Sequence, residues 1–342
     1  MFLNYRSFSM DSAISLKLSV ASVVLTASIS AIAADKTTLN VYTYDSFVSE
    51  WGPGPQLKTA FEAQCGCTLN FVAAEDGVSI LNRARVEKSN TQADVLLGLD
   101  NGLMTEARQL GLVQSHNIDT SKVTGDLNWN SDQFVPFDYG YFAFIYDAEK
   151  IKAPATSFAD LLESEATIIY QDPRTSTPGQ GLMTWVNKAY GDDAANAWAD
   201  IAQQTVTVTK GWWEAYSLFL EGGSDYVLSY TTSPAYHVVA EGKGQYKAAE
   251  FTDGHIAQVE VAAISAFSDK TKLANKFLEF LISTEAQQIL PVTNWMLPVV
   301  DNVELPEAFD QLVTPKQIEL GRDELAESRS RWIREWRTAV SQ

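Results

Sequence analysis

The sequence is poor in the residues that most site chemistry needs. Its 342 residues include 3 histidines and 2 cysteines. His116, His237 and His255 are scattered, with no spacing that makes a metal site, and isolated histidines most often satisfy a core. Both cysteines fall in one triplet, Cys65-Gly66-Cys67. In an oxidising compartment such a pair can close a local disulfide, with little entropic gain because the loop is tiny. No GxSxG elbow, P-loop, HExxH, EF-hand loop or GxGxxG after a strand is present, which removes the common signatures of hydrolytic, nucleotide and metal chemistry. Carboxylates are plentiful, but no spacing among them selects a catalytic pair. Positive charge is scarce: 25 Lys+Arg stand against 43 Asp+Glu, a net charge of −18. Phosphate-rich nucleic acid needs the opposite surface, whereas a small cationic ligand suits this one. Internal repeats and low-complexity linkers are absent. Beyond the N-terminal leader, no apolar run is long enough to span a bilayer.

The leader has its own logic. Arg6 and Lys17 supply positive charge, Leu18 to Ile32 is an apolar run of small residues, and Ala31-Ile32-Ala33 fits a small-x-small cleavage site. Residues 1–33 are therefore expected to be a secretory signal peptide, with Met10 an alternative start and a mature N-terminus near Ala34. The run is too short and serine-rich for an anchor. No cysteine follows the cut to carry lipid.

What the chain does contain is an α/β rhythm. Hydrophobic residues make up 46%, enough for a large core, and the length exceeds one ordinary domain. Leu39, Val41 and Thr43 alternate with polar and aromatic positions before a loop, Tyr44 to Trp51. Gly52 to Pro55 breaks regular structure, and a helix follows with Leu57, Ala60 and Phe61 inward. Further strand-loop-helix units start at Thr68, Asp94, Ile168, Thr205 and Tyr226, which points to mostly parallel sheets. Asp76 reads as the N-cap of a helix with Val78, Leu81 and Val86 inward. Phe137–Tyr146 and Gln258–Ile264 read as long strands able to cross between lobes. Leu325, Trp332, Ile333 and Trp336 form a core stripe on a C-terminal helix. The expected division is 34–137 plus 259–300 in one lobe, 138–258 in the other, and 301–342 as a helical segment packed on them.

Aromatic residues concentrate at strand ends and helix starts: Tyr44, Trp51, Trp212, Tyr230, Tyr236 and Trp295. One aromatic there is most simply core. Six such positions, mixed with Asp, Ser and Thr on the same loops, favour a ligand site. Ring faces suit a flat, preferably cationic ligand.

The blocks VYTYDSFVSEWGPGP, EDGVSILNR, ADVLLGLDN, FVPFDYGYFAFIYD, YQDPRTSTPG, TVTVTKGW, VLSYTTSPAY and TNWMLPV resemble, in order and nearly from Thr38 to the C-terminus, the periplasmic thiamine-binding proteins of bacterial ABC importers. The resemblance implies a type II periplasmic-binding-protein fold: two α/β lobes, each a mostly parallel sheet flanked by helices, closing on thiamine or its mono- or diphosphate. It implies a periplasmic monomer that is not an enzyme, needs no cofactor and hands its ligand to a membrane permease. Motif by motif, the implied ligand residues are Tyr44, Trp51, Asp76, Gly77, Ser176, Trp212, Tyr230, Tyr236 and Trp295. Asp76-Gly77, Ser176 and Trp212 would face phosphate, and Trp51, Tyr236 and Trp295 would surround the rings. The doubled Trp212-Trp213 departs from the pattern and leaves open which ring points inward. Two other readings remain. A thiamine-cleaving enzyme of the same fold needs a cysteine nucleophile, and the thiols here follow the first helix, away from the expected cleft. A binder of another cation, such as a polyamine or ferric iron, is the second, although related iron binders use adjacent tyrosines and this chain has no Tyr-Tyr pair.

Overall fold

The structure is a computed structural model that describes residues 36–124, 127–321 and 323–341. The leader and its expected cut near Ala33 lie outside these residues. The apolar runs become strands: β1 (Thr38–Tyr44), β2 (Thr68–Ala74), β3 (Val95–Asp100), β4 (Val113–Gln114), β5 (Val135–Asp147), β6 (Ile168–Gln171), β7 (Thr205–Thr209), β8 (Tyr226–Tyr230), β9 (Tyr246–Ala248), β10 (Ala257–Ser265) and β11 (Leu297–Pro298). Their main order is β2-β1-β3-β10-β5-β8-β6-β7. β1 lies parallel to β2 and β3, and β6 lies parallel to β7 and β8. The two parallel sets are joined by antiparallel β10 and β5.

β5 is the shared element. Its first half pairs with β10, from Val135 opposite Ala262 to Tyr141 opposite Ala257. Its second half pairs with β8, from Phe142 opposite Tyr230 to Tyr146 opposite Tyr226. Being almost wholly apolar, it can be buried on both faces in both half-sheets.

Each half-sheet has its own core. The first packs Leu39, Val41, Val95, Leu97 and Ile264 against Leu57, Phe61, Leu81 and Phe277 from helices. The second packs Phe144, Ile168 and Tyr226 against Trp185, Trp198 and Phe251. The C-terminal helix, Glu324–Val340, gives Leu325, Trp332, Trp336 and Ala339 to this second core. Trp336 Nε1 donates to Tyr170 Oη at 3.0 Å. Near its start the same helix reaches the first lobe, where Asp323 accepts from Thr105 Oγ1 and Arg329 pairs with Glu106.

Some local expectations need correction. Val86 was expected inward and is 79% exposed. The buried stripe of Gly77–Glu87 is Val78, Ile80, Leu81 and Ala84, and Val86 sits 140° round from Leu81, since each residue turns about 100°. The segment Gly52–Pro55 does not break structure throughout, because a helix starts at Gly54 with Pro55 in its first turn, where proline's missing N–H costs nothing. Asp45–Val48 is a helical turn rather than open loop. Tyr236 lies within the first turn of Ser233–Glu241 and does not start it. The local disulfide expected of Cys65 and Cys67, by contrast, is present.

Candidate functional site

The strand ends and helix starts of the two half-sheets face one another across a cleft of about 370 Å³. Ligands in open α/β sheets bind at such carboxyl ends. The first lobe presents Tyr44 from the end of β1, Asp45 and Ser46 after it, Trp51, and Glu75-Asp76 after β2. The second presents Thr177, Lys210, the Trp212–Leu220 helix start, Tyr230 and Tyr236. Glu260 of β10 and the loop Asn294-Trp295-Met296 complete the lining.

The walls are aromatic. Tyr236 and Trp295 meet edge to face, with ring centroids 5.4 Å apart. Trp295 is held in the left-handed region at φ 57, uncommon for so bulky a residue. The neighbouring Asn294 is anchored: its Nδ2 donates to Asp138 Oδ2 at 2.6 Å and to Tyr44 Oη at 3.0 Å. Trp212 lies flat on Tyr216, centroids 5.0 Å apart, and its Nε1 donates to Ser229 Oγ at 2.7 Å. Trp213 also lines the cleft, nearer its mouth. It is 44% exposed, and its ring lies 4.6 Å from that of Trp51 across the mouth. Both rings of the doubled tryptophan belong to the wall, with Trp212 fixed within its own lobe and Trp213 touching the opposite lobe.

Asp76 is the polar centre between the lobes. It caps Gly77–Glu87, as read from sequence, through Gly77 N at 2.6 Å. Its carboxylate also accepts from Ser176 Oγ (2.8 Å), Thr177 N (3.2 Å), Thr177 Oγ1 (3.1 Å) and Trp212 N (3.2 Å). Ser176 caps the helix Thr177–Tyr190. One carboxylate from the first lobe thus satisfies donors at two helix starts of the second, where the free N–H groups and the dipole favour an anion. Burial is the largest influence on it and raises its protonation range, against the lowering effect of these hydrogen bonds.

The floor carries more carboxylates. Asp100, Glu260 and Asp138 stand opposite one another in register across β3, β10 and β5. Tyr44 Oη and Gln258 Nε2 donate to Glu260, at 2.8 and 3.1 Å. Burial pushes Asp100 and Asp138 up to about 7. Burial first, and then the charge of Asp138, raises Glu260 well above the usual carboxylate range. Tyr44 and Tyr230 are raised by burial and by Glu260. Among the described lining residues, five acids, Asp45, Glu75, Asp76, Glu214 and Glu260, face one cation, Lys210. Such a cleft can hold a cation against ring faces and buried negative charge.

A family model, bacterial extracellular solute-binding protein, matches residues 47–288. The chain belongs to that family. A thiamine-binding periplasmic protein of Escherichia coli K12 is 55% identical over 309 residues, 90% of this chain and 94% of its own length. One from Haemophilus influenzae is 41% identical over 331 residues, 95% of this chain and 99% of its own length. A solved structure described as a periplasmic thiamin binding protein superposes with a TM-score of 0.88 at 55% identity, covering 90% of this chain and 97% of that one. The two-lobed fold is therefore the type II fold of periplasmic solute-binding proteins.

Of the nine site residues expected from sequence, Tyr44, Trp51, Asp76, Trp212, Tyr230, Tyr236 and Trp295 line the cleft of this solute-binding protein. Gly77 and Ser176 do not. Ser176 is fully buried behind Asp76. Gly77 serves packing: a Cβ there would lie 2.3 Å from Gly98 O and 2.6 Å from Thr177 Cγ2. The helix-start donors assigned to phosphate are taken by the Asp76 carboxylate. The doubled tryptophan left open which ring points inward, and both line the cleft. The residues missed include Thr177, Lys210, Asn294 and Glu260. Of these only Glu260 had a usable signal, as the one charge in the otherwise buried run QVEVAAI. The histidines lie outside the lining. His255, for example, accepts from Phe251 N and donates to Phe142 O. Neither cysteine of the disulfide lines the cleft.

Proposed function

We propose that this protein captures thiamine in the periplasm and delivers it to the membrane permease of an ABC importer. The carrying observation is a cleft with aromatic walls and a floor of buried carboxylates. Thiamine has a permanent thiazolium charge and a flat aminopyrimidine, so the carboxylates answer the charge and the rings of Trp51, Tyr236 and Trp295 answer both rings. The names of the relatives support the same ligand. Exchange between open and closed lobes about β5 and β10 gives the ligand a way in, and contacts from both lobes favour the closed state when it is bound. Residues 1–33 act as the cleavable export signal, and the mature chain works as a monomer.

Thiamine monophosphate and diphosphate are also expected ligands. To use the helix starts, their phosphate must share or displace the Asp76 carboxylate, so Asp76 governs the preference among the three. Native mass spectrometry of freshly purified protein, followed by calorimetry with thiamine and its phosphates, tests the proposal. Retained thiamine or tight, saturable binding supports it. A polyamine bound more tightly than thiamine refutes it, and so does loss of thiamine on incubation with a nucleophile.

A further inference from the structure

The carboxylate row on the cleft floor carries a consequence for how a cation is held. Glu260 and Asp138 are directly opposite on antiparallel neighbours, and Asp100 faces Glu260 from the other side. Like charges directly opposite on a sheet repel, and here they are 6%, 0% and 6% exposed, so water screens them little. Asp138 is the least compensated. Its Oδ2 accepts from Asn294, a lining residue, while Oδ1 is buried with no hydrogen-bond partner. Glu260 has two neutral donors and reaches the cavity itself. The titratable groups that face the pair are Tyr44 from β1, Asp100 from β3, Tyr230 from β8 and Asp76 at its helix start. None is a cation. Arg329 acts on Asp100 from the C-terminal helix, and Lys210 stands in the lining on the second lobe.

We propose that Glu260, backed by Asp138, is the counter-charge that selects a cationic ligand, and that the pair holds one proton in the empty cleft and releases it to solvent when the cation enters. The inference rests on the thiamine reading and deepens it. Two opposed, buried carboxylates cannot both ionise cheaply, so the pair titrates as a unit. A permanent cation in so small a cleft supplies the charge that the proton supplied before. The balance is simple: the protonated protein and the thiazolium cation give the complex and one free proton. The ligand's charge is thereby exchanged for a proton, and the buried charge of the site stays constant. A neutral ligand of the same outline gets no such exchange. It leaves the pair protonated and gains no counter-charge.

The test is calorimetry of thiamine binding to the mature protein between pH 6 and 8, in buffers of low and high ionisation enthalpy. The expected result is a buffer-dependent heat equivalent to release of up to one proton. Affinity should strengthen as pH rises through the pair's titration, by at most tenfold per unit. An analogue with a neutral ring in place of the thiazolium should release none. Glu260→Gln should abolish the release and narrow the preference for thiamine over the neutral analogue. If that variant does not fold, Asp138→Asn carries the same expectation, and the wild-type buffer dependence decides on its own. Tight thiamine binding with heats independent of buffer overturns this inference and leaves the thiamine reading intact. Failure of thiamine to bind at any pH overturns that reading, and the inference with it.

Discussion

Removal of the Trp213 ring should speed ligand release without slowing capture. Trp213 and Trp51 project from opposite lobes and meet at 4.6 Å between centroids with planes 43° apart. The contact bridges the two lobes, so parting the lobes should break it and its stabilisation should fall on the closed state. Aromatic pairs add about 0.5–1.5 kcal/mol beyond their area burial, which corresponds to roughly a 2- to 13-fold faster off-rate for Trp213→Ala. Both rings are more than 40% exposed, which favours the lower half of that range. Both rings also line the cleft, so each single substitution costs ligand contact as well. A double-mutant cycle removes that part and leaves the ring–ring coupling. Chase of bound thiamine with excess unlabelled ligand gives the off-rate for the four proteins. Additive effects of the two substitutions, or a slower on-rate with unchanged off-rate, would falsify the assignment of Trp213 as an interlobe contact.

Other expectations concern single positions. Tyr236→Ala should cost thiamine affinity about 1–3 kcal/mol, roughly 5- to 150-fold. Tyr236→Phe should cost far less, because its hydroxyl makes only a 3.4 Å contact with Glu241; equal losses would mean the hydroxyl matters and the ring face does not. Ser176 is buried and donates to Asp76 rather than into the cleft, so Ser176→Ala should weaken thiamine and its monophosphate by similar factors; a loss confined to the monophosphate in calorimetry would return Ser176 to the phosphate end. The empty protein should melt at lower temperature as pH rises from 5 to 8. Asp100 and Asp138 hold protons in the fold up to about 7, while the unfolded chain ionises them near 4. The fold thus binds more protons across that window, and stability falls with rising pH. Asp138→Asn should flatten the slope in differential scanning calorimetry; an unchanged slope would show that Asp138 does not hold the proton.

Much of this fold was legible because local patterns agree with it. The run FVPFDYGYFAFIYD reads as a strand buried on both faces, and that is what lets β5 serve both half-sheets. The Asp76 cap was readable from a short polar residue before an apolar helix. The aromatic lining was readable in part, since rings at strand ends and helix starts have no local partner and must find one across space. Val86 was misplaced because a helical stripe narrower than expected cannot be told from a broad one by periodicity alone.

The sequence by itself determined the α/β architecture, the acidic balance and seven of the lining residues, because each is written in residue type and spacing over a few turns of chain. Only the tertiary structure decided what those residues do to one another. Strand register set Glu260 between Asp100 and Asp138, each more than a hundred positions before it in sequence. The seating of one lobe on the other places Ser176, Thr177 and Trp212 on the Asp76 carboxylate and Trp213 against Trp51. Register and seating are set by the packing of whole sheets, where one residue's slip would reverse every face. No local signal in the chain encodes them.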